Sequence, residues 1–101
     1  MIGVLLRFRY DTDFDEQRLR KVAETARGKF EGFPGLRSKI FTVDPEHKEA
    51  LNFYIWESRG AAQAFFTPEL EKQVSDLYGT RPTIQFTDVA ALVENIPNTS
   101  L

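Results

Sequence analysis

The chain has no cysteine and a single histidine, His47. Without cysteine it can form no disulfide, use no thiolate nucleophile and hold no metal through sulfur. His47 lies in the polar stretch DPEHKE (44–49), where the neighbouring acids lack the spacing of metal ligands. Nothing in the sequence places His47 near a serine either, which disfavours a catalytic triad. The sequence therefore predicts no metal site and no thiol or histidine chemistry.

Long apolar runs and a large charge of one sign are also lacking. No segment approaches the roughly 20 apolar residues of a membrane span. The apolar start, MIGVLLRFRY, has no basic segment or cleavage site typical of a signal peptide. The net charge is −2, with acids and bases interleaved, so electrostatics favours neither nucleic acid nor an anionic membrane as a partner. We expect a cytoplasmic protein, and the missing cysteines fit a reducing compartment.

Nucleotide and cofactor motifs are missing too, since there is no P-loop and no Rossmann fingerprint. Aromatic residues, by contrast, are abundant: nine Phe, three Tyr and one Trp among 101 residues. This length allows one domain, which we place at 1–101 with 93–101 as a tail or arm.

Hydrophobic periodicity divides the chain into strands and helices. Alternation over 2–10 predicts a strand, and apolar steps of three and four over 16–30 predict an amphipathic helix. Ser58 and Thr67 are placed to cap two further helices, with Pro68 at a first helical position and Gly79 at an end. The remaining predicted elements are strands at 36–43, 50–57 and 82–93 and helices at 59–66 and 68–78.

This order predicts an α+β, ferredoxin-like βαββαβ fold, an antiparallel sheet with its helices on one face. The third strand, LNFYIWES (51–58), is apolar on both sides. One side carries Leu51, Phe53 and Ile55, and the other carries Asn52, Tyr54 and Trp56. Helices can cover only one of these faces, and a bare apolar sheet face exceeds what monomers usually expose. We therefore expect a homodimer formed through the bare sheet face.

Three stretches resemble the dimeric α/β-barrel superfamily, in particular the antibiotic-biosynthesis-monooxygenase-like members and their YdhR-type group. They are GFPGLRSKIFT (32–42), YIWESRGAAQAFF (54–66) and FTDVAALVENI (86–96). The resemblance implies a barrel-like dimer with a cavity between the sheet and helices of each subunit. It also implies oxidation of aromatic polyketides by molecular oxygen without a cofactor. Other members of the superfamily degrade haem, isomerise lactones or cyclise polyketides.

Two positions depart from the pattern of many relatives. Tyr54 stands where those relatives carry a glutamate, and Phe65 where they carry a histidine in the following helix. Because the haem-degrading relatives use that histidine as an iron ligand, the departure disfavours haem and histidine-dependent cyclisation. We expect no cofactor.

Asn52 and Trp56 are the candidate catalytic residues. They are four apart on one strand and therefore share a face. The resemblance implies that such a pair lines the pocket, with Asn52 stabilising an oxyanion and Trp56 stacking on a flat substrate. The alternative is that Trp56 is simply core and Asn52 binds backbone.

Five further residues are candidate substrate-binding residues: Tyr54, Phe65, Phe66, Arg7 and Arg9. The aromatic residues would line the pocket, or only fill the core. The two arginines share a face of the first strand and could bind an anionic substrate, or form rim salt bridges.

Lys39 and Arg37 are predicted to share a face of the second strand with Phe41, and their aliphatic stems could cover apolar surface.

The sequence thus favours a cofactor-independent monooxygenase acting on a small aromatic or polyketide-like compound. Two alternatives remain open: a non-oxidative isomerase or cyclase of the same fold, and a small-molecule-binding protein without a reaction.

Overall fold

The computed structural model describes residues 1–95 and contains a four-stranded antiparallel sheet with three helices. The elements are β1 (Ile2–Arg9), α1 (Glu16–Phe30), β2 (Leu36–Asp44), β3 (Glu49–Trp56), α2 (Arg59–Phe65), α3 (Pro68–Tyr78) and β4 (Thr83–Asp88). The strand order is β2-β3-β1-β4. This confirms the predicted ferredoxin-like fold. Of the predicted tail, 96–101 lies outside the described residues.

Side-chain caps begin the three helices. The Asp15 carboxylate accepts a hydrogen bond from Arg18 N at 3.1 Å. Ser58 Oγ accepts from Ala61 N at 3.1 Å, and Thr67 Oγ1 accepts from Leu70 N at 3.2 Å. Each such cap contributes about 1 kcal/mol. The caps predicted at Ser58 and Thr67 are confirmed.

The inner face of the sheet, which the helices cover, holds the core. On β1 it carries Ile2, Val4, Leu6 and Phe8, all of which are buried. On β3 it carries Asn52, Tyr54 and Trp56, also buried. Antiparallel register places Lys39 of β2 opposite Tyr54, and Phe41 opposite Asn52. These pairs fix which side chains can meet below the helices.

The middle of the outer face of the sheet is apolar, and no helix of residues 1–95 lies over it. Register aligns Ile40, Phe53 and Leu5 across three strands. Ile40 is 55% exposed and Phe53 36% exposed. Gly3 makes room for the Phe53 ring, since a Cβ there would lie 3.1 Å from Phe53 Cζ.

Two sequence predictions about the strands are wrong. β4 ends at Asp88, not near 93, because Asp88 pairs with Ile2, the first residue of β1, and no strand continues beside it. A bulge lies between Leu36 and Ser38, so Leu36 takes the inner face next to Trp56. Arg37 therefore does not continue the inner row of Lys39.

Within residues 1–95, no helix combines the length and apolarity that a bilayer crossing needs.

Candidate functional site

A cavity of about 500 Å³ lies between the inner sheet face and the helices α1 and α3. Small-molecule sites are usually clefts of about 300–1,000 Å³ lined mainly by apolar groups. The sheet supplies Lys39, Phe41, Asn52 and Tyr54, and α2 supplies Phe65. The helices α1 and α3 supply the other lining residues: Arg18, Lys21, Val22, Thr25, Ala26, Lys29, Phe30, Leu70, Val74, Leu77 and Tyr78.

A hydrogen-bonded pair, Asn52 and Tyr78, forms the polar part of the cavity. Asn52 is only 2% exposed, and its Nδ2 donates to Tyr78 Oη at 2.9 Å. Because Tyr78 Oη accepts this bond, its own proton remains free to point at an acceptor in the cavity. Burial raises the pKa of Tyr78, while the Asn52 hydrogen bond acts in the opposite direction. The phenol is therefore a neutral donor at neutral pH.

Tyr78 is held in place by Phe8 of β1 and by Tyr10, which directly follows that strand. Its ring stacks on Phe8 with centroids 3.8 Å apart, and its backbone oxygen accepts from Tyr10 Oη at 2.6 Å. Burial is also the main cause that raises the pKa of Tyr10 to about 12. The donor pair is thus preorganised by packing, which is what stabilisation of a developing negative charge requires.

Tyr54 forms an aromatic wall of the cavity. Its ring stacks on Trp56 at a centroid distance of 6.0 Å and meets Phe66 edge-on at 5.0 Å. Burial, with a smaller effect from Tyr78, raises the pKa of Tyr54, so this phenol also stays neutral. A flat aromatic ligand can pack against such a wall.

Lys39 lies within a group of aromatic rings. Its Nζ is 3.5 Å from the ring centroid of Phe30, 4.1 Å from that of Phe41 and 4.3 Å from that of Tyr54. Burial first, and the charge of Lys29 second, lower the pKa of Lys39 to about 7. The ring faces favour the ammonium form and so oppose this decrease.

The predicted site residues fall into three groups. Asn52, Tyr54 and Phe65 line the cavity together.

Trp56 and Phe66 do not line the cavity; they pack behind Tyr54. Trp56 is fully buried, in contact with Phe33 and Phe65 at centroid distances of 5.9 and 5.2 Å, and its Nε1 has no hydrogen-bond partner among the described residues.

Arg7 and Arg9 lie on the outer sheet face, away from the cavity. Arg9 Nε forms an ion pair with Glu49 at 2.9 Å. Arg7 Nε is buried without a hydrogen-bond partner in the part of the chain that the structure describes.

Sequence reasoning missed Tyr78 and the position of Lys39 in the cavity. Tyr78 ends α3, and only the fold brings it to Asn52, which is 26 residues earlier. The position of Lys39 was predictable from the sequence, since Lys39 shares a strand face with Phe41, two residues away.

Within residues 1–95, no three His, Asp or Glu side chains gather as a metal site. His47 lies in an exposed turn, where its Nδ1 is 2.8 Å from Asp44 Oδ2. That hydrogen bond is the largest cause lowering the pKa of Asp44. His47 is therefore remote from the lining of the cavity.

Comparison with known proteins gives one family match. The family model described as "Putative mono-oxygenase ydhR" matches residues 4–92. No curated protein matches the chain significantly.

Solved structures of monooxygenases share the fold. A "putative antibiotic biosynthesis monooxygenase" from Deinococcus radiodurans has a TM-score of 0.69 at 13% identity, covering 96% of this chain and 100% of its own. The monooxygenase from the gene ActVA-Orf6 of Streptomyces coelicolor, in complex with nanaomycin D, has a TM-score of 0.67 at 20% identity, covering 94% and 92%. SnoaB from Streptomyces nogalater, a cofactor-independent oxygenase solved as a point mutant, has a TM-score of 0.66 at 11% identity, covering 93% and 97%.

Proposed function

Because the chain belongs to the family described as "Putative mono-oxygenase ydhR", we propose that it is a cofactor-independent monooxygenase of a small aromatic or polyketide-like compound. The observation that carries the proposal is the aromatic cavity with the preorganised Asn52–Tyr78 donor pair. Two similar folds are those of a monooxygenase bound to nanaomycin D and of a cofactor-independent oxygenase.

The proposed reaction needs only the substrate and oxygen. An activated aromatic CH₂ group, or the O–H group of the corresponding enol or phenol, loses a proton, and the resulting anion gives one electron to O₂. The substrate radical and superoxide combine into a peroxide, which takes up a proton and loses water to leave a carbonyl group. One oxygen atom enters the product and the other leaves as water, and the substrate supplies all the electrons.

The protein's part in this reaction is to hold the ring and stabilise charge. Tyr54 and Phe65 would hold the flat substrate, while Asn52 Nδ2 and Tyr78 Oη would donate to its developing oxyanion. Removing one such donor typically costs an enzyme about a hundredfold in rate. Trp56 would position Tyr54 from behind rather than touch the substrate.

The proposed active form is a homodimer joined through the outer sheet face. The apolar row of Ile40, Phe53 and Leu5 offers a flat surface for the same row of a second copy.

Oxygen uptake tests the oxidative reaction. The purified protein is given a panel of anthrones, hydroquinones and flavonoid-like phenols under ¹⁸O₂. We expect one ¹⁸O atom in the product, uptake of one O₂ per product, and a rate reduced at least about tenfold in Tyr78→Phe. Ser75→Ala, on the same helix but outside the lining, is the matched control.

Two other results would contradict the oxidative proposal. Conversion of a substrate under argon would indicate an isomerase or cyclase of this fold. A ligand that binds and returns unchanged in the presence of oxygen would indicate a binding protein without a reaction.

A further inference from the structure

Three lysines line the cavity, and of these Lys39 is half-buried whereas Lys21 and Lys29 are exposed. The amine of Lys39 lies among rings and not beside an acid. Within residues 1–95, no carboxylate lies within ion-pair distance of it, and the cavity lining contains no aspartate or glutamate. Glu31 shares a groove with Lys39 but lies 4.0 Å from Arg27 as an ion pair. An amine without a carboxylate partner is not committed to an ion pair and can accept a proton from a ligand.

The other charged groups that line the cavity with Lys39 are cationic. Lys29, Lys21 and Arg18 of α1 complete the charged part of the lining. Arg18 also donates to the backbone oxygen of Leu77 at 2.8 Å, which holds it beside α3. The phenols of Tyr54 and Tyr78 are neutral at neutral pH, because burial raises both of their pKa values. A ligand in this cavity therefore meets positive charge and neutral donors only, which favours an anion.

Register fixes how the amine and the donor pair share the cavity. Lys39 is paired with Tyr54, and Asn52 is two residues from Tyr54 along β3. Two residues of a strand span about 7 Å. An aromatic ligand with an oxygen at each end can therefore have one oxygen near the amine and the other near Asn52 and Tyr78.

Resting on the proposed function, we infer that Lys39 is the proton acceptor of the cavity, and that its substrates are phenols or enols held as their conjugate anions. The amine lone pair takes the proton of the ligand O–H, and the two electrons of that bond stay on the ligand oxygen. The ammonium remains over the rings of Phe30, Phe41 and Tyr54, paired with the anion. The proton is returned when the peroxide formed later loses water.

The pKa of Lys39, lowered to about 7 by burial and by Lys29, agrees with this role. Near neutral pH the side chain is present both as an amine that accepts and as an ammonium that donates, which is the condition for efficient general acid–base catalysis.

Ionisation of 7-hydroxycoumarin tests the inference without needing turnover. Below its free pKa this phenol is mostly neutral, and its anion absorbs at longer wavelength. We expect the wild type to raise the anion-to-phenol ratio of the bound probe about tenfold over the free probe, equivalent to one pKa unit. Lys39→Met should abolish this increase, whereas Lys72→Met, an exposed lysine on α3, should retain it.

Binding is measured separately with 7-methoxycoumarin, which cannot ionise. If both coumarins bind the wild type, but bound 7-hydroxycoumarin has the same anion-to-phenol ratio as the free probe, the inference is wrong. The proposed aromatic pocket would then still be supported. If neither coumarin binds, the proposed pocket is wrong and the inference fails with it.

The net proton balance distinguishes a proton acceptor from a fixed positive charge. When the wild type binds the phenol as an anion, Lys39 keeps the proton and the buffer receives little. Lys39→Arg keeps the charge but cannot act as a base near neutral pH, so anion binding should release about one proton to the buffer. Equal proton release from both proteins would overturn the inference.

NMR of the ¹³Cε-labelled lysines gives a test that needs no ligand. The signal that disappears in Lys39→Arg is that of Lys39, and we expect it to titrate near pH 7. Titration close to the ordinary lysine value of 10.5 would mean that the side chain stays charged at neutral pH, and would overturn the inference.

Discussion

The two faces of β3 are similarly apolar in sequence and differ in what covers them. Tyr54 and Trp56 on the inner face are buried below helices, whereas Phe53 on the outer face is 36% exposed. The apolar side chains of the two faces therefore have two different roles. The inner face forms a core and a cavity, and the outer face is a surface for which we propose a second copy as partner.

The inner face is itself divided along the strand. At the Trp56 end, rings of Phe33, Phe65 and Tyr54 fill the space with centroid distances of 5.2 to 6.0 Å. At the Asn52 end the helices α1 and α3 leave the cavity open. Trp56 therefore lies in the packed part of the inner face, and Asn52 lies in the part that lines the cavity.

The largest effect is expected on the outer face, from Phe53→Asp. In the proposed dimer this substitution would place two carboxylates, one from each copy, in the apolar interface, where both would lose their hydration. We expect the dimer Kd to rise more than about a hundredfold, roughly 3 kcal/mol, as measured by sedimentation equilibrium.

Gln63→Asp, which adds the same charge on exposed α2, is the control and should leave the dimer intact. The affinity of the Phe53→Asp monomer for an aromatic ligand tests whether the two sheet faces act separately. If its affinity for an aromatic ligand falls as much as its self-association, the two faces do not act separately.

Asn52→Leu, on the inner face, should weaken ligand binding without weakening the proposed dimer. It keeps the branching at Cγ but removes the Nδ2 donor to Tyr78 Oη. A lost hydrogen bond of this kind is worth about 1 kcal/mol, so the affinity for a phenol should fall about five- to tenfold in calorimetry. The dimer should be unaffected, and dissociation of Asn52→Leu would contradict the division between the faces.

Lys39→Met should stabilise the protein in a pH-dependent manner. Lys39 has a pKa of about 7 in the folded chain against an ordinary value of 10.5. The unfolded chain therefore binds more protons between these values, and the stability of the wild type rises with pH across that window. The cost of burying the charge is fully present below about pH 7 and is lost towards pH 10.5.

Urea unfolding measures this difference. The gain in unfolding free energy of Lys39→Met over the wild type should be larger at about pH 6 than at about pH 9.5. Lys72→Met should show no such trend, and a gain independent of pH would place Lys39 outside the apolar surroundings.

Trp56→Phe should have the smallest effect on ligand binding. Trp56 does not line the cavity, and its Nε1 makes no hydrogen bond within residues 1–95 that the change could remove. We expect ligand affinity to change less than about twofold while the unfolding free energy falls by about 1–2 kcal/mol. A tenfold loss of affinity would instead place the ligand against the indole.

Local features were predictable from the sequence, because they depend on neighbouring residues. Ser58, Thr67 with Pro68, and Gly79 marked the ends of helices, and alternation assigned the faces of β1 and β3. The confirmed fold follows from these elements and their order.

The cavity was not predictable from the sequence, because it depends on the distances between helices and strands. The Asn52–Tyr78 bond joins β3 to the end of α3, and Lys39 meets Phe30 only because α1 crosses above β2. The same pattern of apolar residues would fit a filled core, as it does around Trp56. The sequence alone therefore predicted Asn52 and Trp56 as one site.

Emission of the single tryptophan tests the central claim most directly. Trp56 is stacked on Tyr54, a wall of the cavity, so a ligand bound there lies one ring away from the indole. Titration with an anthrone, corrected for absorbance, should quench this emission saturably in the wild type and with weaker affinity in Asn52→Leu. Emission that stays unchanged at saturating anthrone would contradict an aromatic-binding cavity on the inner face.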